Sequence, residues 1–268
     1  MVILGGGGLF IDSESIKAPY IWYKQAMACK KFGKPYICYS QSIGPLNSFI
    51  SRFFTRRVFQ NAKAIHFRDK ESALLLKDLK IDKEVTVSTD SALFWASEQK
   101  KIAQKEDIFL LCLRKWNLKS NESWAEIIEE CKNYAKENSL ILKLLPMDIR
   151  NTEELEAFKN TGLEVLHPNS ATDAVAMISK AKILCSMRLH ASILALALGT
   201  PVLSISYSTK VQSFLENLNV KDGSKVLDLR EIDKIQESLK EITGKTPDFD
   251  ISTPTKKNQE FLNHELQL

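Results

Sequence analysis

The sequence predicts an α/β protein made of two Rossmann-like domains that face a cleft. Apolar strand-like runs alternate with amphipathic helical stretches along the chain, which is typical of parallel sheets covered by helices. The length of 268 residues exceeds that of one ordinary domain. The charged, aperiodic segment 97–107 indicates a linker. We therefore expect an N-terminal domain over residues 1–100, a C-terminal domain over 101–250 and a tail or helix over 251–268.

The elements follow from short apolar runs bounded by glycine, proline or polar residues, and from longer stretches with helical periodicity. In the first domain the predicted strands are Val2–Leu4, Tyr36–Tyr39, Ala64–Phe67 and Val85–Ser88. The predicted helices between them are Tyr23–Phe32, Phe49–Ala62 and Lys70–Leu79. In the second domain the predicted strands are Phe109–Leu113, Leu140–Leu145, Glu164–Leu166, Ile183–Ser186, Val202–Ser206 and Val226–Asp228. Its predicted helices are Trp124–Glu137, Thr152–Asn160, Asp173–Lys180, His190–Leu198 and Lys210–Asn217. A short final helix, Glu260–Leu266, is predicted to cross back onto the first domain.

Composition limits the classes of function. A hydrophobic share of 44% and a charged share of 26% are ordinary for a globular enzyme. The net charge of +4 suits anionic substrates but does not indicate a nucleic-acid partner. No apolar run reaches the length of a membrane span, and no signal peptide is visible. Five singly scattered cysteines are typical of a reducing cytoplasm, and four histidines in separate segments predict no metal site.

The strongest candidate site is Ser186-Met187-Arg188-Leu189-His190, which joins a predicted strand to a predicted helix. Ligands of open α/β sheets bind beyond the carboxyl ends of the strands, where helix N-termini favour anions. Arg188 can hold a carboxylate or phosphate through two parallel hydrogen bonds. His190 can exchange a proton near neutral pH. The alternative is an Arg–His pair that only caps the helix.

Two further cations follow predicted strands of the second domain. Lys210 begins a helix and would neutralise phosphate as a point charge, or would be an ordinary solvated lysine. Arg114 follows the first strand of this domain, and beside Arg188 it would complete a pocket for a small dianion.

The candidate site residues of the first domain are glycines and polar residues at the ends of predicted strands. Gly5–Gly8, including Gly6 and Gly7, would let a ligand approach the backbone closely, yet they match neither a P-loop nor a dinucleotide fingerprint. Gln41, in Ser40–Pro45, is a candidate for lining an acceptor sugar. Asp90 would bind a sugar hydroxyl or hold a turn. Arg68-Asp69 is predicted to be structural, with Asp69 capping a helix and Arg68 pairing locally.

These segments, in this order, resemble the polysaccharide pyruvyl transferase family. The matching motifs are ILGGGGLF (3–10), YSQSIGPL (39–46), FRDKESALLLKDL (67–79), TDSALF (89–94) and SMRLHASILALALGTPVLSISYSTKV (186–211). The resemblance implies a glycosyltransferase-B-like enzyme that transfers a pyruvyl group from phosphoenolpyruvate to a sugar of a cell-surface or exopolysaccharide, forming a ketal. By this likeness Arg188, Leu189 and His190 fall on the donor-site Arg-Leu-His of the family, and Arg114 matches an arginine that follows the first strand of the second domain.

The resemblance also sets the expected partners. They are phosphoenolpyruvate as donor substrate with no resident cofactor, a sugar or lipid-linked oligosaccharide acceptor, and peripheral contact with the inner membrane surface. Family members usually have a further strand–loop–helix region before the glycine segment, so the first domain is expected to lack a sheet edge and part of its acceptor site. The alternatives are a nucleotide-sugar glycosyltransferase of the same shape, with Arg188 and Lys210 on a diphosphate, or a non-catalytic truncated remnant.

Overall fold

The chain folds into two compact α/β units. The computed structural model describes residues 1–13, 15–99, 104–114, 120–148, 150–207 and 209–267, except the side chains at 120–123, 152–154, 157 and 209–211. The first unit comprises Met1–Phe94 and Ile251–Leu268, and the second comprises Trp95–Asp250. The C-terminal segment therefore belongs to the first unit, and the other boundary lies after Phe94, before the charged segment 97–107.

The first unit contains a parallel sheet whose described strands lie in sequence order. They are β1 (Val2–Phe10), β2 (Tyr36–Ile43), β3 (Ile65–Phe67) and β4 (Thr86–Val87). The helices that follow them are α1 (Ala18–Lys31), α2 (Phe49–Asn61), α3 (Lys70–Asp78) and α4 (Ser91–Ser97). Every residue of β2 is buried, as expected for a central strand of a parallel sheet.

Strand β1 is longer than predicted, because the glycines continue the strand instead of ending it. Gly5 pairs with Tyr39 and Gly7 pairs with Gln41, and the register then shifts before Phe10 pairs with Ile43. Gly6 and Gly7 have φ of +41° and +95°, values that favour glycine, so these residues supply an irregular strand that other residues would strain. The prediction that the strand stops at Leu4 was wrong.

The second unit is built on a larger parallel sheet with strand order β10-β9-β8-β5-β6-β7. Its strands are β5 (Glu106–Cys112), β6 (Ile141–Leu144), β7 (Glu164–Val165), β8 (Ala181–Ser186), β9 (Val202–Ser206) and β10 (Ser224–Asp228). Its helices are α5 (Ser120–Glu137), α6 (Thr152–Lys159), α7 (Ala171–Lys180), α8 (Leu189–Leu198), α9 (Thr209–Glu216) and α10 (Ile235–Ile242), with a 3₁₀ helix over Leu229–Lys234. The predicted α/β class with parallel sheets is confirmed.

Three helical segments were not predicted at these bounds. Helix α4 and helix α10 had no sequence assignment, and α10 buries Ile235, Leu239 and Ile242 against the second sheet. Helix α11 (Ser252–Leu266) has 15 residues, whereas the sequence suggested only its last turns. Its first half is polar, so periodicity alone did not reveal it.

Helix α11 is held to the first unit by specific contacts. Phe261 packs with Ile37 and Tyr39, and Tyr39 Oη donates a hydrogen bond to Asn258 Oδ1 at 3.0 Å. Asn258 Nδ2 in turn donates to the carbonyl of Thr89 at 3.3 Å. Within the described part of the chain, no helix is both long enough and apolar enough to span a bilayer.

Candidate functional site

The carboxyl ends of three neighbouring strands meet at one edge of the second sheet. Cys112 of β5 pairs with Ser186 of β8, and Ser186 pairs with Ser204 of β9. The residues that follow these strands include Arg114, Arg188 and Tyr207. Since ligands of open α/β sheets bind at this edge, the topology brings two predicted cations to the expected place.

Arg188 lies at the start of α8 in a well-defined turn. Its backbone is extended (φ −97°, ψ 116°), and its N–H donates to Ser186 Oγ at 3.0 Å. The preceding residue, Met187, continues the sheet ladder by donating from its N–H to the carbonyl of Cys112 at 2.8 Å. The following helix is anchored because its residues from Ala191 to Leu198 are buried. The half-buried Arg188 side chain therefore extends from a rigid strand-to-helix junction.

Arg114 reaches across the end of β8. Its Nη1 donates to Tyr207 Oη at 2.6 Å, and its guanidinium lies over the Tyr207 ring at 5.3 Å from the centroid. Because Arg114 follows β5 and Tyr207 follows β9, with β8 between them, this contact passes over the segment from which Arg188 begins α8. Trp124 Nε1 also donates to the Arg114 carbonyl at 3.1 Å, which fixes the backbone.

The other predicted donor-binding residues are Leu189, His190 and Lys210. Leu189 is the first residue of α8 and is half-buried, while His190 is exposed in the first turn. The first N–H groups of a helix have no intrahelical partner, so this turn carries partial positive charge. Lys210 lies in α9, but its side chain is outside the described residues.

Sequence reasoning missed Tyr207 and Trp124 as partners of Arg114. Tyr207 directly follows β9, the same position relative to a strand that singled out Arg114 and Arg188. Applying that criterion to every strand would have found it. Trp124 gave no such signal, since it lies inside α5 and is buried.

The predicted acceptor residues lie together in the first unit but differ in exposure. Gly6 is exposed, and a Cβ there would lie 3.8 Å from Ser91 Oγ, so β1 runs beside the start of α4. Gly7 pairs with Gln41 across the sheet. Gln41 is fully buried, and its Nε2 donates to the Leu4 carbonyl at 2.7 Å. The glycine backbone is thus accessible, whereas Gln41 supports it from inside.

Asp90 caps a helix and forms a buried ion pair. Its Oδ1 accepts from the Ala92 N–H at 2.8 Å, which caps α4, and its Oδ2 accepts from Arg68 Nη1. Both side chains are buried, with 7% of Arg68 and 4% of Asp90 exposed. Arg68 also donates from Nε to Ser42 Oγ at 2.6 Å. Arg68 therefore has the predicted structural role, with an ion-pair partner that lies 22 residues away, and Asp69 caps α3 by accepting from the Ser72 N–H at 2.8 Å.

Asp90→Asn should destabilise the first unit by about 2 kcal/mol, because the amide keeps the helix cap but removes the negative charge that the buried Arg68 pairs with. Chemical denaturation measures this loss. The matched control is Asp78→Asn, which removes the exposed Arg52–Asp78 pair and should cost less than about 1 kcal/mol. Equal losses of stability in the two variants would contradict the assignment of Asp90 as the buried ion-pair partner of Arg68.

His66 is the centre of a second buried polar group in the first unit. Its Nδ1 accepts from the Ser40 N–H at 3.1 Å, so the proton of the neutral ring is on Nε2, which lies 3.0 Å from Ser88 Oγ. Its ring also packs against Tyr39 and Phe261. Burial lowers the pKa of His66 from 6.5 to about 4, even though Asp90 acts in the opposite direction. The histidine is thus neutral and structural at neutral pH.

The depressed pKa of His66 predicts a pH dependence of stability. Between pH 6.5 and pH 4 the unfolded chain binds a proton that the folded chain rejects, so stability falls as pH falls. The total contribution is about 3 kcal/mol. We expect His66→Gln to flatten the curve of unfolding free energy against pH over this interval. Parallel curves for the two proteins would show that another group controls the effect.

Across the residues that the structure describes, no group of three or more His, Cys, Asp or Glu side chains is arranged to hold a metal ion. At the carboxyl ends of β5 and β8 lie the cations Arg114 and Arg188, and His190 lies in the first turn of α8. Such an arrangement is suited to binding a small anion and to moving a proton beside it.

Solved structures with a similar fold are distant in sequence. The UDP-GlcNAc 2-epimerase of Methanocaldococcus jannaschii, solved with UDP-GlcNAc and UDP, is 12% identical with a TM-score of 0.65, covering 94% of this chain and 81% of that one. The enzyme of the same name from Neisseria meningitidis, bound to UDP-GlcNAc, is 13% identical with a TM-score of 0.62, covering 92% and 73%. At these identities the likeness shows the fold alone, a two-unit Rossmann-like α/β architecture.

The sequence comparison identifies the family. No curated protein matches the chain. The profile described as polysaccharide pyruvyl transferase matches residues 1–209, which include the glycine segment, Arg114 and the turn that carries Arg188 and His190, and which end just before Lys210. The match covers more than three quarters of the chain. The chain belongs to the polysaccharide pyruvyl transferase family.

Proposed function

We propose that the protein is an enzyme that transfers a pyruvyl group from phosphoenolpyruvate to a sugar of a cell-surface polysaccharide or its precursor. The observation that carries the proposal is the placement of Arg114 and Arg188 at one edge of the second sheet, beside the N-terminus of α8. Phosphoenolpyruvate carries a carboxylate and a phosphate on neighbouring atoms. Two fixed guanidinium groups and a helix N-terminus complement these charges.

In the proposed reaction, the methylene carbon of phosphoenolpyruvate takes up a proton and becomes the methyl group of the product. The central carbon is then electrophilic, and a sugar hydroxyl adds to it and loses its proton. A second hydroxyl of the sugar displaces phosphate, loses its proton and closes the ketal. Arg114 and Arg188 stabilise the charge on carboxylate and phosphate throughout, which is the larger expected contribution to catalysis. His190 transfers one of the protons.

The first unit is the proposed acceptor side. Gly6 offers exposed backbone at an irregular part of β1, and the buried ion pair of Arg68 and Asp90 fixes the neighbouring start of α4. A sugar could therefore contact backbone N–H and carbonyl groups along the glycine segment. Gln41 and Asp90 then act as supports of this surface rather than as direct contacts.

The test is transfer of label from phosphoenolpyruvate to a panel of hexosides and lipid-linked sugars, compared with transfer of sugar from UDP-GlcNAc. The second donor is included because the epimerases of similar fold are described with UDP-GlcNAc bound. Phosphate release and label incorporation that require phosphoenolpyruvate support the proposal. Transfer from UDP-GlcNAc alone would replace it with glycosyl transfer, and binding of both ligands without turnover would indicate a non-catalytic protein.

A further inference from the structure

The positive charge of the chain is concentrated in one stretch of the first unit. Residues 15–67 contain no aspartate or glutamate. The cations of this stretch are Lys17, Lys24, Lys30, Lys31, Lys34, Arg52, Arg56, Arg57 and Lys63. The chain has 37 basic and 33 acidic residues in total, so the rest carries 28 basic against 33 acidic residues. A mildly basic protein therefore has one strongly basic region and a net negative remainder.

The same stretch exposes large apolar side chains. Seven of the twelve exposed large hydrophobic residues of the described chain lie between residues 16 and 53. On α2, Phe49 is 81% exposed and Ile50 is 59% exposed, and Phe53 lies one turn further along. On α1, Tyr20 and Ile21 are about half exposed. Apolar groups clustered in this way on a surface usually mark a contact with a partner or a membrane.

Aromatic contacts join the two helices into one surface. Phe54 of α2 packs against Tyr20 and Tyr23 of α1, with ring centroids 5.1 and 4.8 Å apart. Cations lie among these rings: Lys24 is over Tyr20 at 5.6 Å, and Arg57 is over Phe53 at 5.3 Å. Apolar and basic groups are therefore interleaved on what we call the α1–α2 face, formed by Ile16, Tyr20, Ile21, Lys24, Phe49, Ile50, Phe53, Arg56 and Arg57.

We propose that the α1–α2 face docks on an anionic lipid membrane. Phe49 and Ile50 enter the boundary between headgroups and acyl chains, and Tyr20 lies at headgroup depth, where aromatic rings are favoured. Arg56, Arg57 and Lys24 of this face attract anionic headgroups through their positive charge. Arg52 is not counted among them because it already pairs with Asp78.

The charge pattern favours a lipid membrane over a second copy of the chain or a nucleic acid as the partner of this face. Two copies meeting through this face would bring Lys24, Arg56 and Arg57 of one copy close to the same cations of the other, so repulsion opposes self-association. Single-stranded nucleic acid binds through basic grooves with stacking rings, whereas the exposed side chains of Phe49 and Ile50 form an apolar tip at the start of α2. This inference does not depend on the proposed transfer reaction.

Vesicle flotation with the full chain tests the inference. We expect binding to vesicles of phosphatidylcholine with phosphatidylglycerol, weak binding to phosphatidylcholine alone, and release at high salt. Arg56→Gln with Arg57→Gln should reduce partitioning about 30-fold, the equivalent of about 2 kcal/mol. Phe49→Ala with Ile50→Ala should also abolish most binding, because the apolar tip is removed.

Matched controls come from the same unit. Lys256→Gln with Lys257→Gln removes the same charge from the exposed side of α11, and Leu74→Ala removes an exposed apolar residue from α3. Both should bind vesicles as the parent chain does. Equal losses in the controls would overturn the inference, as would concentration-dependent dimers that disappear in Phe49→Ala with Ile50→Ala, or tighter binding to single-stranded oligonucleotides than to vesicles. Unchanged melting temperatures of the variants exclude misfolding.

Discussion

Arg188→Ala should weaken binding of phosphoenolpyruvate several hundred-fold, the equivalent of about 3–4 kcal/mol. The side chain leaves a junction that is fixed on both sides, by the Met187–Cys112 hydrogen bond before it and by the buried helix α8 after it. A guanidinium that extends from a fixed backbone loses less conformational freedom on contacting an anion, and its removal eliminates a charge-assisted, two-point contact. Isothermal titration calorimetry with phosphoenolpyruvate measures the change.

The comparison variants separate geometry from charge. Arg188→Lys keeps the charge but loses the planar pair of donors, so it should recover only part of the affinity. Arg150→Ala removes an arginine of the same unit that is 94% exposed, and donor affinity should not change. A folded Arg188→Ala protein that binds phosphoenolpyruvate as tightly as the parent would remove this edge of the sheet from the proposal.

Much of the second unit followed from the sequence because its signals are local. The strand Val202–Ser206, for example, is buried at every residue and has the bounds that the sequence predicted. Helix α8 differs from its prediction by one residue. Strand order, in contrast, depends on contacts between distant segments, and no local pattern indicates that β8 lies between β5 and β9.

The candidate site was predictable because a residue that follows a parallel strand lies at the carboxyl edge of the sheet. That rule located Arg114 and Arg188, and applied fully it would also have indicated Tyr207. It could not give the pairing of Arg68 with Asp90, which depends on tertiary packing of residues 22 positions apart. The rule also could not show that Gln41 is buried while Gly6 is exposed, since both residues follow a predicted strand.

His190→Gln should lower turnover by about 10²-fold or more while changing donor affinity much less. Histidine is suited to proton transfer because it changes charge near neutral pH, and His190 is exposed in the first turn of α8, two residues after Arg188. Glutamine keeps similar size and hydrogen-bonding groups but cannot exchange a proton in this range. In the proposed reaction His190 transfers one of the protons, so the substitution removes that step.

Two measurements on His190→Gln distinguish proton transfer from anion binding. Phosphate release with an acceptor sugar gives turnover, and calorimetry with phosphoenolpyruvate gives affinity; we expect the first to fall steeply and the second to hold. His167→Gln, at another exposed histidine of the second unit, should alter neither. If His190→Gln instead lowers affinity and keeps turnover, the imidazole belongs to the anion-binding group with Arg114 and Arg188. The proton would then have to come from a different side chain.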